Sequence, residues 1–371
     1  MSASTTPKIP TAKRSLAAVC GSLAFAGLLL AASLGLAATA RAAVTRDTPT
    51  YLLKSYRKVG QYRSFKCDLV ADLPSPPQLV VFGGSRAMRF RPSDFYESTS
   101  LTTINAATQN FRPEDSWAIA NHLLRRAPRT DLHCFFAVQA TTFSDARLDP
   151  GLLYDPRLSR WFPATLVARQ KRLAGTPPTP NLVAHKRFSS RGLMLHNTYD
   201  DRRASGVPLD DVLDAYLRSM LPTAGNTAPV KQTRSHLYFE KTIKLFNRRG
   251  IVPVVVIMPY HPRVLEAFRE VGWETKVDRL RTYLANLQER CDLRVVDLLE
   301  IESFGGSPDE FYDGAHVTME NSARIIRHVA KVVPECFAPK IATAAQASRG
   351  EGLFGNLRIY LTMTSSSNAA R

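Results

Sequence analysis

Residues 251–258 read Ile-Val-Pro-Val-Val-Val-Ile-Met, an unbroken and largely β-branched run with no polar position on either face. A strand with one wet face alternates, whereas an unbroken run of this kind fits a strand covered on both sides. Working outward, comparable runs stand at Leu79-Val80-Val81-Phe82, at 101–105, at 132–138 and at 293–299. Helical patterns fall between them. One is opened by Arg112-Pro113-Glu114-Asp115, with proline near the first turn and acids where the helix dipole favours them; others span 264–269, 277–290 and 319–333. Strands separated by helices predict an α/β domain built on a parallel sheet of about five strands with helices on both faces.

The 371 residues suffice for one large domain or two ordinary ones. A hydrophobic share of 44% with 22% charged residues excludes a disordered, collagenous or disulfide-framework chain. The formal charge is +17, and only five of the 49 basic residues, with none of the 32 acidic ones, fall in the first 46 positions. The body is therefore basic in its own right.

Lys8, Lys13 and Arg14 precede residues 15–40, which carry no charge. Roughly 20 such residues span a bilayer as a helix, and a cleavable signal usually has an apolar region of only about 7–15, so residues 1–46 read as a signal anchor. Ala40-Arg41-Ala42 also satisfies a small-x-small cleavage site, and Cys20 a lipid attachment, although Val19 suits the latter poorly. Each alternative exports the chain from about residue 47 onward. Cys67, Cys134, Cys291 and Cys336 then allow three disulfide pairings, or stay as buried thiols. Cys291 with Cys336 is the favoured pair, because the two flank the last strand–helix unit. No cysteine pair has metal-ligand spacing.

Residues 47–77 read as a polar stem, 78–339 as the α/β domain and 340–371 as a mostly disordered tail, with 357–363 as a candidate edge strand. An Arg-, Pro- and Asp-rich stretch at 140–226 interrupts the rhythm and reads as a lid, a substrate-binding insertion or a surface excursion. In open parallel sheets, ligands bind beyond the carboxyl ends of the strands. Those ends carry Ser85, Asn110, Gln139, His261, and Asp313 with His316.

Gly83-Gly84-Ser85 presents a serine on a sharp turn after a buried strand, with backbone N–H groups able to approach a substrate oxygen. It lacks the G-x-G-x-x-G and GK[ST] spacings of nucleotide sites. A serine nucleophile needs a base, and the base needs an acceptor on its other nitrogen. Phe311-Tyr312-Asp313-Gly314-Ala315-His316 places an Asp and a His across a tight turn and supplies both. The bland alternative is an Asp that starts a turn and a His that caps a helix.

The two elements together resemble the SGNH (GDSL-like) hydrolases over roughly residues 78–335, with 312–326, YDGAHVTMENSARII, the closest stretch. GGSR and the MPYHP at 258–262 look most like the membrane-anchored bacterial cell-envelope branch, which includes proteins similar to the D-alanyl transfer protein of teichoic acid synthesis and alginate acetylation factors. The resemblance implies a three-layer α/β/α flavodoxin-like sheet and no cofactor or metal. It makes Ser85 the nucleophile, His316 the base and Asp313 its orienting partner. The implied substrate is an ester of an envelope glycan, polymer or lipid, and hydrolysis and acyl transfer are equally compatible.

The chain departs from that pattern where Gly84 replaces an acidic residue. Asn110 stands where the family has an oxyanion-hole glycine, and tolerates left-handed backbone; Gln139 stands for an asparagine side chain. Arg86, Arg89 and Arg91 form either a solvated basic face or an attractor of anionic substrate, and His261 lines the site or merely shapes a turn. Export and the lack of a basic stripe with interleaved aromatics argue against nucleic acid. The rival to an enzyme is a catalytically silent domain that binds anionic envelope polymers.

Overall fold

Each of the five apolar runs forms a strand of one parallel sheet. The computed structural model describes residues 53–56, 62–73, 75–126, 132–144, 146–174, 181–184, 188–196, 198–225 and 232–338. Two short strands, β1 (Leu53–Tyr56) and β5 (Asn181–Ala184), pair antiparallel with each other. The main sheet contains β2 (Leu79–Gly83), β3 (Thr103–Asn105), β4 (His133–Val138), β6 (Val254–Ile257) and β7 (Arg294–Asp297), in the order β3-β2-β4-β6-β7. Every neighbouring pair in it is parallel. The charge-free segment at 15–40, the tail from 340 and the edge strand expected at 357–363 lie outside the described residues. No helix among the described residues is long and apolar enough to cross a membrane.

The helices used below are α1 (Arg63–Asp72), α2 (Pro92–Thr99), α3 (Pro113–Arg126), α4 (Pro150–Tyr154), α5 (Pro156–Ser159), α6 (Ala164–Ala174), α7 (Thr198–Ala204), α8 (Leu209–Ala224), α9 (Arg234–Asn247), α10 (Pro262–Glu270), α11 (Glu274–Gln288) and α12 (Met319–Val332). Helix α3 packs on α9, and α2 packs on α12, giving the covering layers of a three-layer, flavodoxin-like fold. Strands β2, β4 and β6 are buried at every position, which explains why their sequences run apolar without alternation. The order of the sheet reverses beside β2. The loop after β2 therefore opens at the topological switch point, and that loop carries Ser85.

Two expectations, the polar stem and the disulfide, are corrected. The stretch read as a polar stem contains α1, whose Phe65, Cys67 and Leu69 are core residues and whose Arg63 and Lys66 are equally buried. Residues 140–226, read as a lid, a substrate-binding insertion or a surface excursion, contain α4 to α8. The expected Cys291–Cys336 disulfide is absent, and both cysteines are buried thiols. Cys291 faces Lys244 and Glu240 of α9, whereas Cys336 neighbours Glu335 and Arg294 and hands its carbonyl to His133 Nδ1 at 2.6 Å. Burial raises both thiol pKa values, that of Cys336 to about 11, and keeps them protonated.

Arg63 reaches two carboxylates, Asp115 at 2.6 Å and Asp149 at 3.2 Å, and its Nη2 also donates to the carbonyls of Gln109 and Asn110. Lys66 is fully buried, and no carboxylate among the described residues pairs with it. Its Nζ donates to the carbonyls of Asn105 (2.7 Å) and Gly192 and lies 4.9 Å from the Phe188 ring. Burial pushes its pKa well below the usual lysine value. The unfolded chain therefore binds the Lys66 proton over a pH range where the folded chain has released it. In that range stability rises with pH, up to the ordinary lysine pKa of about 10.4. Urea unfolding at pH 7 and pH 9.5 is expected to show this rise, and Lys66→Met is expected to flatten it. Equal pH slopes in the two proteins would remove Lys66 as its source.

Candidate active site

The serine comes from the end of β2. Gly83 closes the strand where a Cβ would press on Ala87 and Ala137 Cβ at 2.8 and 2.9 Å, so only glycine lets the following turn sit down on the sheet. Ser85–Ala87 then form a single 3₁₀ turn, with Ala87 N–H donating to Gly84 O at 3.0 Å and Met88 N–H to Ser85 O at 3.2 Å. Asn105 supports that turn from β3. Its Nδ2 donates to Ala87 O (2.8 Å) and Phe90 O (3.0 Å), and its own backbone N–H and carbonyl are held by Arg191 O and Lys66.

The other half is the loop between β7 and α12. Phe311 and Val317 bridge antiparallel, and Tyr312 N–H donates to His316 O at 2.7 Å, which folds residues 311–317 into a tight loop. Asp313 Oδ1 accepts from the N–H groups of Ala315 and His316, both at 2.8 Å, as short Asp side chains do in turns. Both carboxylate oxygens also lie at 2.9–3.0 Å from His316 Nδ1. The opposite nitrogen, Nε2, is 2.8 Å from Ser85 Oγ across 231 residues of sequence. The structure thus brings Ser85, His316 and Asp313 into one hydrogen-bonded line.

Electrostatics agree with a charged carboxylate. Burial, the largest influence on Asp313, pushes its pKa up. The hydrogen bond and charge of His316 and the two backbone N–H groups outweigh burial, leaving the pKa below the ordinary aspartate value. Asp313 is 6% exposed, so the proton on Nδ1 has this one acceptor and little competing water.

The basic residues beyond the serine are not the open cationic face the sequence suggested. Arg86 and Arg89 are 6% and 5% exposed. Arg86 donates to Pro259 O at 3.3 Å and stacks 3.8 Å from the Tyr260 ring centre, tying the serine turn to the end of β6, and its charge acts on Tyr216 of α8. Arg89 donates to Met194 O (2.9 Å), Asp200 (2.8 Å) and Tyr312 Oη (2.7 Å). Substrate attraction by these two is replaced by internal anchoring. Arg91 pairs with Asp94 at 2.8 Å. His261 is buried and caps α10, its Nδ1 accepting from Arg263 N–H at 3.2 Å while its own N–H donates to Gly314 O at 3.1 Å. That is the turn role, and it braces the loop that carries Asp313 and His316.

Of the oxyanion candidates, Asn110 adopts the expected left-handed backbone, φ 52°. Gln139 directly follows β4, but its Nε2 donates to Thr141 Oγ1 at 2.9 Å, so one of its two N–H groups is turned to its own loop.

Sequence reasoning missed the contribution of the insertion. Tyr199, on α7, lies over the imidazole of His316 with ring centres 4.9 Å apart and donates its hydroxyl to Asp313. Burial, then the charge of Asp313, raises its pKa to about 12, so the hydroxyl keeps its proton near neutrality. Asp200, the next residue, takes hydrogen bonds from both Arg89 and Tyr312. Gly314 admits Tyr216 from α8, since a Cβ there would overlap that ring and press on Val264 at 2.7 Å. The one available signal was the Tyr-Asp-Asp at 199–201 inside a stretch otherwise without pattern. Among the described residues, no group of three or more His, Cys, Asp or Glu is placed to hold a metal.

No family profile matches this chain, and no curated protein matches it either. Among solved structures, the crystal structure of a candidate acylhydrolase from Bacteroides fragilis aligns with 77% of this chain and 100% of its own. Identity is 12% and the TM-score 0.36, and at that score the likeness carries no part of the functional argument.

Proposed function

We propose that the chain is a serine ester hydrolase or O-acyltransferase of the SGNH type, working through an acyl-enzyme on Ser85. The observation that carries this is the line from Ser85 Oγ through His316 to Asp313, with contacts of 2.8 and 2.9 Å. Ser85 Oγ attacks an ester carbonyl as its proton passes to His316 Nε2, and the Nδ1–H donated to Asp313 holds the imidazole in the tautomer that can accept it. The imidazolium then protonates the departing alcohol. Water or a second alcohol, deprotonated by the same nitrogen, takes the acyl group from Ser85. Backbone N–H groups of Ser85 and Asn110 are assigned to the oxyanion, with the second Nε2 N–H of Gln139, the one not given to Thr141, as a third donor. A missing donor costs about 2.7–4 kcal/mol of transition-state stabilisation, so a slow enzyme is the expectation.

The charge-free segment at 15–40 supports placing this chemistry outside the cytoplasm, on an ester of an envelope glycan, polymer or lipid. The placement of Gln139 favours the rival reading, a silent domain that binds such polymers. The two part on one experiment. Residues 47–371 treated with a fluorophosphonate are expected to carry the adduct on Ser85, mapped by mass spectrometry, and His316→Ala is expected to lose it. Folded protein that takes no label would leave the binding reading standing.

A further inference from the structure

A groove of about 210 Å³ opens beside the catalytic loop, between α7, the start of α8 and residues 309–312. Tyr199, Phe311 and Tyr312 give it aromatic walls, and Val207, Leu209 and Val212 complete its apolar side. Arg202, Arg203 and Asp309 also line it, and Arg203 faces Glu310 at 3.7 Å. Val207 is 43% exposed. Nothing in the triad uses this groove, yet Tyr199 belongs to both, lining the groove and lying over His316.

Which half of an ester would occupy it follows from the chemistry of the base. The nitrogen that takes the serine proton returns it to the leaving oxygen. As the bond between acyl carbon and alcohol oxygen breaks, the proton on His316 Nε2 passes to that oxygen and the acyl group stays on Ser85 Oγ. The alcohol half must therefore lie on the imidazole side of the scissile carbonyl, whereas the carbonyl oxygen faces the backbone donors. Tyr199 lies on that side, its ring over the imidazole, and it is also a wall of the groove.

Size narrows the occupant further. Pockets for drug-sized ligands run to about 300–1,000 Å³, and this groove is smaller. The charged residues in its lining also oppose a long alkyl chain. We propose, resting on the serine-ester reading above, that this groove is the subsite for the alcohol half of the ester. It takes one compact, ring-sized alcohol with an apolar face. An incoming alcohol in acyl transfer occupies it by the reverse of the same step.

Val207→Trp fills the groove from an exposed position that touches no catalytic group. Rates on phenyl acetate and ethyl acetate compare two alcohols with one acyl group, and phenyl hexanoate beside phenyl acetate compares two acyl groups with one alcohol. The variant is expected to lose about tenfold or more in kcat/KM for phenyl acetate while ethyl acetate changes less than about twofold, the range that pocket fit commands. Val207→Ala, which widens the same wall, is expected to keep or raise the phenyl acetate rate. A parallel fall on both acetates would overturn the subsite, as would no change on either. A fall confined to the hexanoate would make the groove an acyl seat and overturn it too. Fluorophosphonate labelling of Ser85 in the same variant separates the two readings. With label retained, only the subsite fails, whereas a parent that never labels removes the serine-ester reading and the subsite with it.

Discussion

Asp313→Asn is expected to slow fluorophosphonate labelling of Ser85, and any ester hydrolysis that depends on it, by about 10⁴-fold, with KM little changed. The geometry says how. Oδ1 of Asp313 already accepts from two backbone N–H groups, Ala315 and His316, and an asparagine keeps its oxygen there. The amide nitrogen then replaces Oδ2, which lies 2.9 Å from His316 Nδ1. An N–H facing Nδ1 forces that nitrogen to accept, so the imidazole proton moves to Nε2. Ser85 Oγ at 2.8 Å then meets a donor in place of a base. The turn itself survives, and the unfolding midpoint should change little. His316→Ala should cost at least as much, and the double variant little more than the worse single one, because the two act as a unit. Labelling of Asp313→Asn at the parent rate would end the triad reading.

The same carboxylate sets a limit on the pH profile. Its folded pKa is depressed, so the stability it contributes is present above the unfolded value of about 3.9 and is lost as pH falls through the folded value. Any fall in activity at higher pH than this has another source.

The sheet was legible because burial on both faces leaves its central strands β2, β4 and β6 almost wholly apolar. The serine turn and the Asp-Gly-x-His loop were legible because each is short and contains its own geometry. Helix α1 was not. Arg63 and Lys66 look like surface charge in sequence, and only the fold shows the acceptors that let them be buried, 39 or more residues away. Arg86 and Arg89 misled for the same reason. A guanidinium reads as a solvated or ligand-seeking cation until Pro259, Met194, Asp200 and Tyr312 are brought against it from 105 to 223 positions along the chain. Tyr199 was hidden differently, since α7 has no buried residue and so no hydrophobic period to betray it. What places it on His316 is the anchoring of its neighbour Asp200 by Arg89 and Tyr312.

Gly192→Ala should be the most damaging single methyl addition to the fold. Gly192 has φ +83°, where a side chain costs about 1–2 kcal/mol. Its new Cβ would overlap the Asn105 carbonyl oxygen and stand 3.0 Å from Lys66 Nζ. Backbone at the end of β3 cannot step aside cheaply, and overpacking of this kind adds about 1–3 kcal/mol. The loss, about 2–5 kcal/mol together, is large against a typical total of about 5–15 kcal/mol. It should also reach the active site. The turn at 189–192 supplies the acceptor for Asn105 N–H, and Asn105 in turn holds Ala87 O and Phe90 O behind the serine. Under conditions where the variant is still folded, Ser85 should therefore label more slowly than in the parent. Gly84→Ala is the control, one residue from Ser85. Its backbone is extended, no atom lies within 4 Å of the added Cβ, and stability should hold within about 0.5 kcal/mol. Urea midpoints of the two variants measured side by side decide the matter. If Gly192→Ala unfolds at the parent's midpoint, the Lys66–Gly192–Asn105 contact is not what fixes the insertion to the sheet.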